Sequence, residues 1–342
     1  MFHCMYRLKR VLHEYSWKSS LREFKFVLKR QDTNLFLSKC DFSYVSYLCV
    51  EVANDQELQY FHGIPRLWLS PLTDETHVTD EGLQHLKGVQ SLTLYGFSKI
   101  GNTGMEYLRG IHMLQLWECP GITREGLECL SGLKYFDSYR SDIFKKDQDL
   151  AIFCGSLKRI QHLSLSCCDF ITDQGLAYLQ GIPSLDLSSC FRITDNGLKY
   201  LSGVQALSLF GCKHISDHGL ACLRGILYLS LGGWTNSILL TDDGLKHLNG
   251  LLHLNLSDCD MITDEGLLHL KGIESLSLTY CHSITEKGLK ELKGIRNLFV
   301  QHCNHLESRV TGDGLHTSES VFPFRRKGTM SRNNSLDKIQ FF

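Results

Sequence analysis

The feature that most constrains this chain is a repeat. Residues 161–182 read QHLSLSCCDFITDQGLAYLQGI, residues 183–204 read PSLDLSSCFRITDNGLKYLSGV, and residues 205–226 read QALSLFGCKHISDHGLACLRGI. Residues 252–273 and 274–295 carry the same text, so the consensus is xxLxLSxCxxITDxGLxxLxGI with a period of 22. Its first leucine position is filled by Leu67, Leu92, Leu114, Phe136, Leu163, Leu185, Leu207, Leu229, Leu254, Leu276 and Leu298. Most intervals are 22 residues. Those from Leu67 and from Leu229 are 25, and that from Phe136 is 27, which reads as loop insertion into an intact stack. A weaker opening unit ends ELQYFHGI at residues 57–64.

Each part of the consensus has a physical reading. The LxL alternation places both leucines on one face of a short strand. In ITD, the Ile points inward and the Thr-Asp pair suits a helix N-terminus, because its side-chain oxygens accept orphan backbone N–H groups. GLxxLxG then gives two leucines on one helical face and a Gly where the helix stops. One unit is a strand, a turn, a short helix and a return. A single unit cannot bury its leucines, whereas stacked units bury them together. The expected fold is α/β: a curved solenoid with a parallel β-sheet on its concave face and short helices on its convex face. With strands about 4.8 Å apart, eleven turns extend on the order of 50 Å.

The text LxLSxCxxITDxGLxxL resembles the cysteine-containing class of leucine-rich repeats. That class includes the F-box/LRR proteins, substrate receptors of SCF ubiquitin ligases, and free-standing LRR regulators. The resemblance covers residues 57–316. It implies a protein-interaction module and not an enzyme. In the ligase case, a protein substrate sits on the concave face and a Skp1-type adaptor and cullin engage an N-terminal F-box, in the cytoplasm or nucleus, as part of ubiquitin-dependent degradation. Residues 1–56 are the only place for such a box. They show helical spacing at Leu8, Val11, Leu12 and Tyr15 and again at Leu21, Phe24 and Leu28, but they contain no proline, so the Leu-Pro start of an F-box is missing. They form either a degenerate F-box or an N-terminal cap. Their basic residues, among them Arg7, Lys9, Arg10, Lys18 and Arg22, are either a solvated helix face or a contact for an acidic partner. Residues 317–342 lose the leucine period and read as a polar, disordered tail.

Composition narrows the function further. The formal net charge is −1, so no global field draws the chain to nucleic acid or an anionic membrane. No run of about 18 apolar residues is present, and MFHCMYRLKRVLHEYSW lacks a signal-peptide core. The chain holds 14 cysteines. Cys119, Cys168, Cys190, Cys212, Cys259, Cys281 and Cys303 fall at one repeat position, one per coil, which reads as a buried structural ladder of small apolar side chains and not as a metal site. Cys167 should point the other way by alternation. Many of the 16 histidines fall at variable repeat positions, such as His85, His247 and His269, and no nucleophile–base–acid set accompanies them. No cofactor is expected.

Two local departures invite attention. The unit at residues 134–160 is long and irregular, with a protruding loop expected near residues 145–149. The second departure lies in the outward positions of the strands. Between and after the two leucines these are mostly small and polar, as a solvated sheet should be. In the N-terminal coils, however, Trp68, Tyr95, Trp117, Tyr135 and Tyr139 gather, with Arg66 and Arg140 nearby. Aromatics and Arg anchor protein interfaces, and the repeat does not demand them here, so these seven residues are the candidate partner-binding set.

Overall fold

The computed structural model describes residues 47–73, 77–139, 143–233, 240–292, 294–301 and 303. Residues 1–46, with the F-box question, and the tail from 304 onward lie outside the described residues, as does Arg140. Twelve strands are described: β1 (Leu48–Val52), β2 (Arg66–Pro71), β3 (Ser91–Tyr95), β4 (Met113–Trp117), β5 (Tyr135–Tyr139), β6 (His162–Ser164), β7 (Ser184–Asp186), β8 (Ala206–Ser208), β9 (Tyr228–Ser230), β10 (His253–Asn255), β11 (Ser275–Ser277) and β12 (Asn297–Phe299). The chain divides into two compact units. The first holds β1–β4 and β5 as far as Asp137; the second holds the end of β5 and β6–β12. In each unit the strands stand in chain order and pair in parallel. The expected register holds: Leu67 pairs with Leu92, and Leu163, Leu185 and Leu207 lie on adjacent strands. Among the described residues the sheet begins nine residues ahead of residue 57, at Leu48. The strand LCVEV carries no consensus leucine pair and was invisible to the repeat pattern.

The regular coils contribute the same inward set. Leu185, Leu187, Ile193, Leu198, Leu201 and Val204 are buried in one coil, and Leu207, Leu209, Ile215, Leu220, Leu223 and Ile226 in the next. Deleting a side chain of this kind to Ala costs about 2–5 kcal/mol. The helices are mostly a single turn of four residues, such as Asp173–Leu176 and Asp195–Leu198. Isolated, a helix that short does not form.

What holds these turns is more than the capping that the sequence suggests. Thr194 caps its own helix, its Oγ1 accepting from Asn196 N at 3.3 Å. The same residue donates twice to the preceding coil: its N–H to Asp173 Oδ1 at 2.8 Å and its hydroxyl to Asp173 Oδ2 at 2.6 Å. Asp therefore links coils, while Thr caps. The pair recurs from Asp147 to Thr172, Asp195 to Ser216, Asp217 to Thr241, Asp242 to Thr263 and Asp264 to Thr285. In the first unit Asp55 holds Thr79 in the same way, and Asn102 substitutes, accepting from Thr123 N and donating to its hydroxyl. The lock also explains the glycine of TDxG. A Cβ on Gly197 would stand closer than 3.0 Å to Asp173 Oδ1 and to a Leu176 methyl, and one on Gly219 would meet Asp195 and Leu198 in the same way.

The irregular unit departs from expectation. Its extra residues form not a protruding loop but a ten-residue helix, Asp147–Ser156, with Leu150 and Phe153 buried. Phe153 packs edge-on against Phe144, ring centroids 5.1 Å apart. Asp149 accepts from the backbone N–H groups of Lys145 and Lys146, closing the turn that precedes the helix.

The lock generates a test. Asp173→Ala removes the acceptor of two part-buried donors and should lower stability by about 2 kcal/mol, whereas Asn at the same position retains part of the bond and should cost less. Gly197→Ala should destabilise at least as much as Asp173→Ala despite the higher helix propensity of Ala. Urea unfolding midpoints decide this; a neutral Gly197→Ala would show that the coils have slack at the lock.

Candidate functional site

The sheet face of the first unit is built from side chains that alternate with the buried leucines of β2–β5. Register sets Trp68 beside Thr93, Thr93 beside Gln115, and Tyr95 beside Trp117. Trp68 and Trp117 meet edge to face, with centroids 5.4 Å apart and planes at 80°. The contact leaves Trp68 only 5% exposed, while Trp117, Tyr95 and Tyr135 are half-buried. Arg66 lies over the Tyr47 ring at 5.7 Å. Tyr139, also half-buried, is counted in the second unit. The five rings and Arg66 thus sit at outward strand positions, and Arg140 has no described placement.

The column between the two leucines differs from the solvated surface expected of it. Thr93, Gln115, Asp137, Ser164, Asp186, Ser208, Ser230 and Ser277 are all buried. Alternation tells which face a side chain takes, but it does not tell what covers it. Here neighbouring strands, about 4.8 Å away, bring polar groups within bonding distance. In the first unit Thr93 Oγ1 donates to Gln115 Oε1 at 2.7 Å. Gln115 Nε2 and Trp117 Nε1 then both donate to Asp137 Oδ2, each at 3.2 Å. In the second unit Ser164 Oγ donates to Asp186 Oδ2 at 3.3 Å, and Ser188 donates to Asp186 Oδ1 through N–H and hydroxyl. Asn255 links Ser230 and Ser257 further along. The Thr93–Gln115–Asp137 chain was missed in the sequence. Its signal is a Gln and an Asp on successive strands, in a column where most later coils carry Ser and one carries Asp186.

Of the ladder cysteines, Cys119, Cys190, Cys212, Cys259, Cys281 and Cys303 are buried and Cys168 is half-buried. They do more than fill space. Cys190 Sγ donates to Leu165 O at 3.2 Å, Cys212 to Leu187 O at 3.1 Å, Cys281 to Leu256 O at 3.1 Å and Cys303 to Leu278 O at 3.0 Å, each reaching the coil before. Cys119 reaches Leu94 O in the first unit. Burial pushes the thiols up, Cys119 to about 11 and Cys212 and Cys281 to about 12, so they are neutral donors with no thiolate character. Cys167 turns away from the ladder as expected: it is exposed, at a corner with φ 62°. The equivalent corner residues Ser189, Asp258 and Tyr280 share that left-handed conformation, which Gly211 adopts without a Cβ penalty. Among the described residues no group of three or more His, Cys, Asp or Glu could hold a metal ion, and no helix is long and apolar enough to cross a membrane.

With this geometry in place, comparison with known proteins defines the class. A Leucine Rich repeat family model matches residues 160–179, 184–202 and 247–271. Among solved structures, the chain is similar to one in the Rad7 and Elc1 complex of yeast, at TM-score 0.54 and 18% identity over 77% of this chain and 83% of that one. It is also similar to an internalin of Listeria monocytogenes, at TM-score 0.50 and 17% identity over 88% of this chain and 89% of that one. A third likeness is to a chain in the TLR13–ssRNA13 complex, at TM-score 0.50 and 15% identity over 82% of this chain and 52% of that one. No curated protein matches the sequence. The parallel strands, the matched repeats and these likenesses make the chain an α/β leucine-rich-repeat solenoid.

The thiol ladder has a measurable consequence. Folded Cys119, Cys212 and Cys281 hold their protons well above the ordinary value of 9.0, while unfolded thiols ionise near it. Above pH 9 the unfolded chain binds fewer protons than the folded one, so stability falls as pH rises. The ladder's contribution should be complete below pH 9 and drain away toward pH 12. Peptide mapping after brief alkylation at pH 8 should find Cys167 modified and Cys190, Cys212 and Cys281 protected; equal labelling of all four would contradict the buried ladder.

Proposed function

We propose that this chain is a non-catalytic recognition module that holds a protein target on the sheet face of its first unit, as the substrate-recognition subunit of an SCF-type ubiquitin ligase. The observation that carries the recognition half is the ring cluster of Trp68, Tyr95, Trp117 and Tyr135. Later coils place Ser164, Ser208, Ser230 and Ser277 in the column where Trp68 stands, and they stack their leucines equally well. The rings therefore answer to something other than coil stacking. Large, rigid side chains with a polar edge bury much area at small entropic cost, which suits an interface. The ligase half is supported by the ITDxGL repeat text and its resemblance to F-box/LRR receptors, and by the structural likeness to the Rad7 and Elc1 complex, in which a chain of this fold is joined to another protein.

The absence of proline from residues 1–56 favours a second reading, a free-standing leucine-rich-repeat scaffold with no ubiquitin link. Co-purification separates the two. The tagged full chain should carry a Skp1-type adaptor and a cullin, and a chain starting at residue 47 should lose both. If the full chain carries neither, the ligase reading falls and the scaffold reading stands. For the face itself, Tyr95→Ala should reduce target capture at least tenfold while lowering the unfolding midpoint far less than Trp117→Ala, which also removes a partner from Trp68 and Asp137. A large fall in the midpoint would assign the rings to internal packing instead.

A further inference from the structure

We infer that two copies of this chain pair through one flank of the second unit, a basic and aromatic patch on each copy meeting an acidic and apolar patch on the other. The surface lies away from the first unit's sheet face, and the inference does not rest on the reading of that face.

The flank is the stretch of each coil between the ladder cysteine and the buried isoleucine after it. Two residues fill it, and neither belongs to the leucine core or to the aspartate lock. Phe191 and Arg192 follow Cys190, and Lys213 follows Cys212. Further along the same unit, Asp260 and Met261 follow Cys259. Flank residues of successive coils touch. Lys213 Nζ lies 5.2 Å from the centre of the Phe191 ring, and Arg192 Nη1 donates to Phe170 O at 3.5 Å. Asp260 Oδ1 accepts from His282 N at 3.4 Å. Arg192 and Lys213 have no carboxylate partner among the described residues, and Asp260 has no cationic one.

Exposed apolar area collects on this flank. Phe191 is 44% exposed and Met261 50%, and Tyr280, at the left-handed corner before Cys281, is 40% exposed. The position of Phe191 carries Asp169, Lys213, Asp260 and His282 in the other described ladder coils of the unit, so stacking does not call for a ring there. Phe191 stands with Arg192 and Lys213, whereas Met261 and Tyr280 stand with Asp260 and Asp258. Each patch thus joins an apolar anchor to one sign of charge, and the two signs are opposite. Both lie on one flank of one unit. A two-fold axis between copies therefore sets each basic patch on the partner's acidic one and makes the contact twice. The chain's own ends do not replace the second copy. Residues 1–46 hold nine Lys and Arg against four Asp and Glu, and residues 304–342 hold six against four, so neither brings net negative charge to Arg192 and Lys213. A partner with both signs answers both patches, and this flank is itself such a surface.

Sedimentation equilibrium of the full chain tests the pairing. The expected result is a dimer. Lys213→Glu and Asp260→Lys should each weaken it at least tenfold, because each sets like charges against one another. Mixed in equal amounts, the two variants should form a mixed dimer about as tight as the unsubstituted one. In that mixture Glu at 213 of one copy meets Lys at 260 of the other, and the native Asp260 and Lys213 meet on the opposite side of the axis. Rescue of this kind requires that the two positions face each other. If Asp260→Lys does not fold, Met261→Glu, at an exposed side chain, is read in its place and should weaken the dimer as strongly. A full chain that is still monomeric at about 100 μM overturns the inference. So does a dimer that tolerates either substitution, and so does a mixture of the two charge variants that stays monomeric.

Discussion

The interaction on which the rest depends is the bond from one coil's aspartate to the next coil's threonine. A solenoid has nearest-neighbour contacts and no long-range closure to correct an error in stacking. Leucine burial drives the stacking but has little direction, so a coil could slide or rotate on its neighbour at modest cost. The Asp173–Thr194 pair removes that freedom, because both carboxylate oxygens are used and the two donors come from one residue. The same threonine hydroxyl then accepts from its own helix. A single side chain thereby starts the helical turn and fixes its place on the coil before. Among the described residues the lock changes where the sequence changes: Asn102 keeps it as an amide, Gly101 offers Asp80 only its N–H, and Arg124, at the aspartate position, pairs with Glu125 and Glu128 of its own coil.

Once the core and the helix edge are committed to stacking, the outward strand positions are the part of each coil that can vary. They are not idle. Across strands their hydroxyls, amides and carboxylates bond to one another, as Ser164, Asp186, Ser188 and Ser208 do. This second set of directional contacts runs along the sheet while the aspartate lock runs along the helices and the thiol bonds run between them. A coil is therefore tied to its neighbour at three separated points, and the register of its three-residue strands does not depend on backbone pairing alone.

Most of this was legible, for a physical reason. A stacked fold repeats its constraints at a fixed interval, so Leu, Ile, Thr, Asp, Gly and Cys announce their roles by period. What escaped the sequence escaped it for equally specific reasons. The strand Leu48–Val52 pairs with β2 through backbone groups that any sequence supplies, so it needed no consensus leucines. The helix Asp147–Ser156 was hidden by its length, although Asp147 stands 25 residues before Thr172 and already marks it as a locked coil. The face was harder. Alternation placed Trp68 and Asp137 outward correctly, but their burial comes from Trp117 and Gln115 on other strands, and a pattern along one strand carries no information about the next.

Function in such a fold has to come from where the rules of stacking are broken without benefit to stacking. The fold alone is neutral on this point, since structures as different as a yeast complex and a bacterial internalin share it at under 20% identity. The left-handed corners are strained at Ser189 and Tyr280, but that strain serves the turn between strand and helix and recurs in coil after coil. The ring and carboxylate cluster of the first unit is different. Among the described residues its paired indoles occur once, and they bring apolar area up to the Asp137 carboxylate at positions where most other coils carry small polar side chains. Apolar area without charge would bind many partners weakly, and charge without rings would be screened by water. Together they give a surface that is expensive to leave uncovered and selective about what covers it, which is the combination a recognition module requires and a scaffold of identical coils lacks.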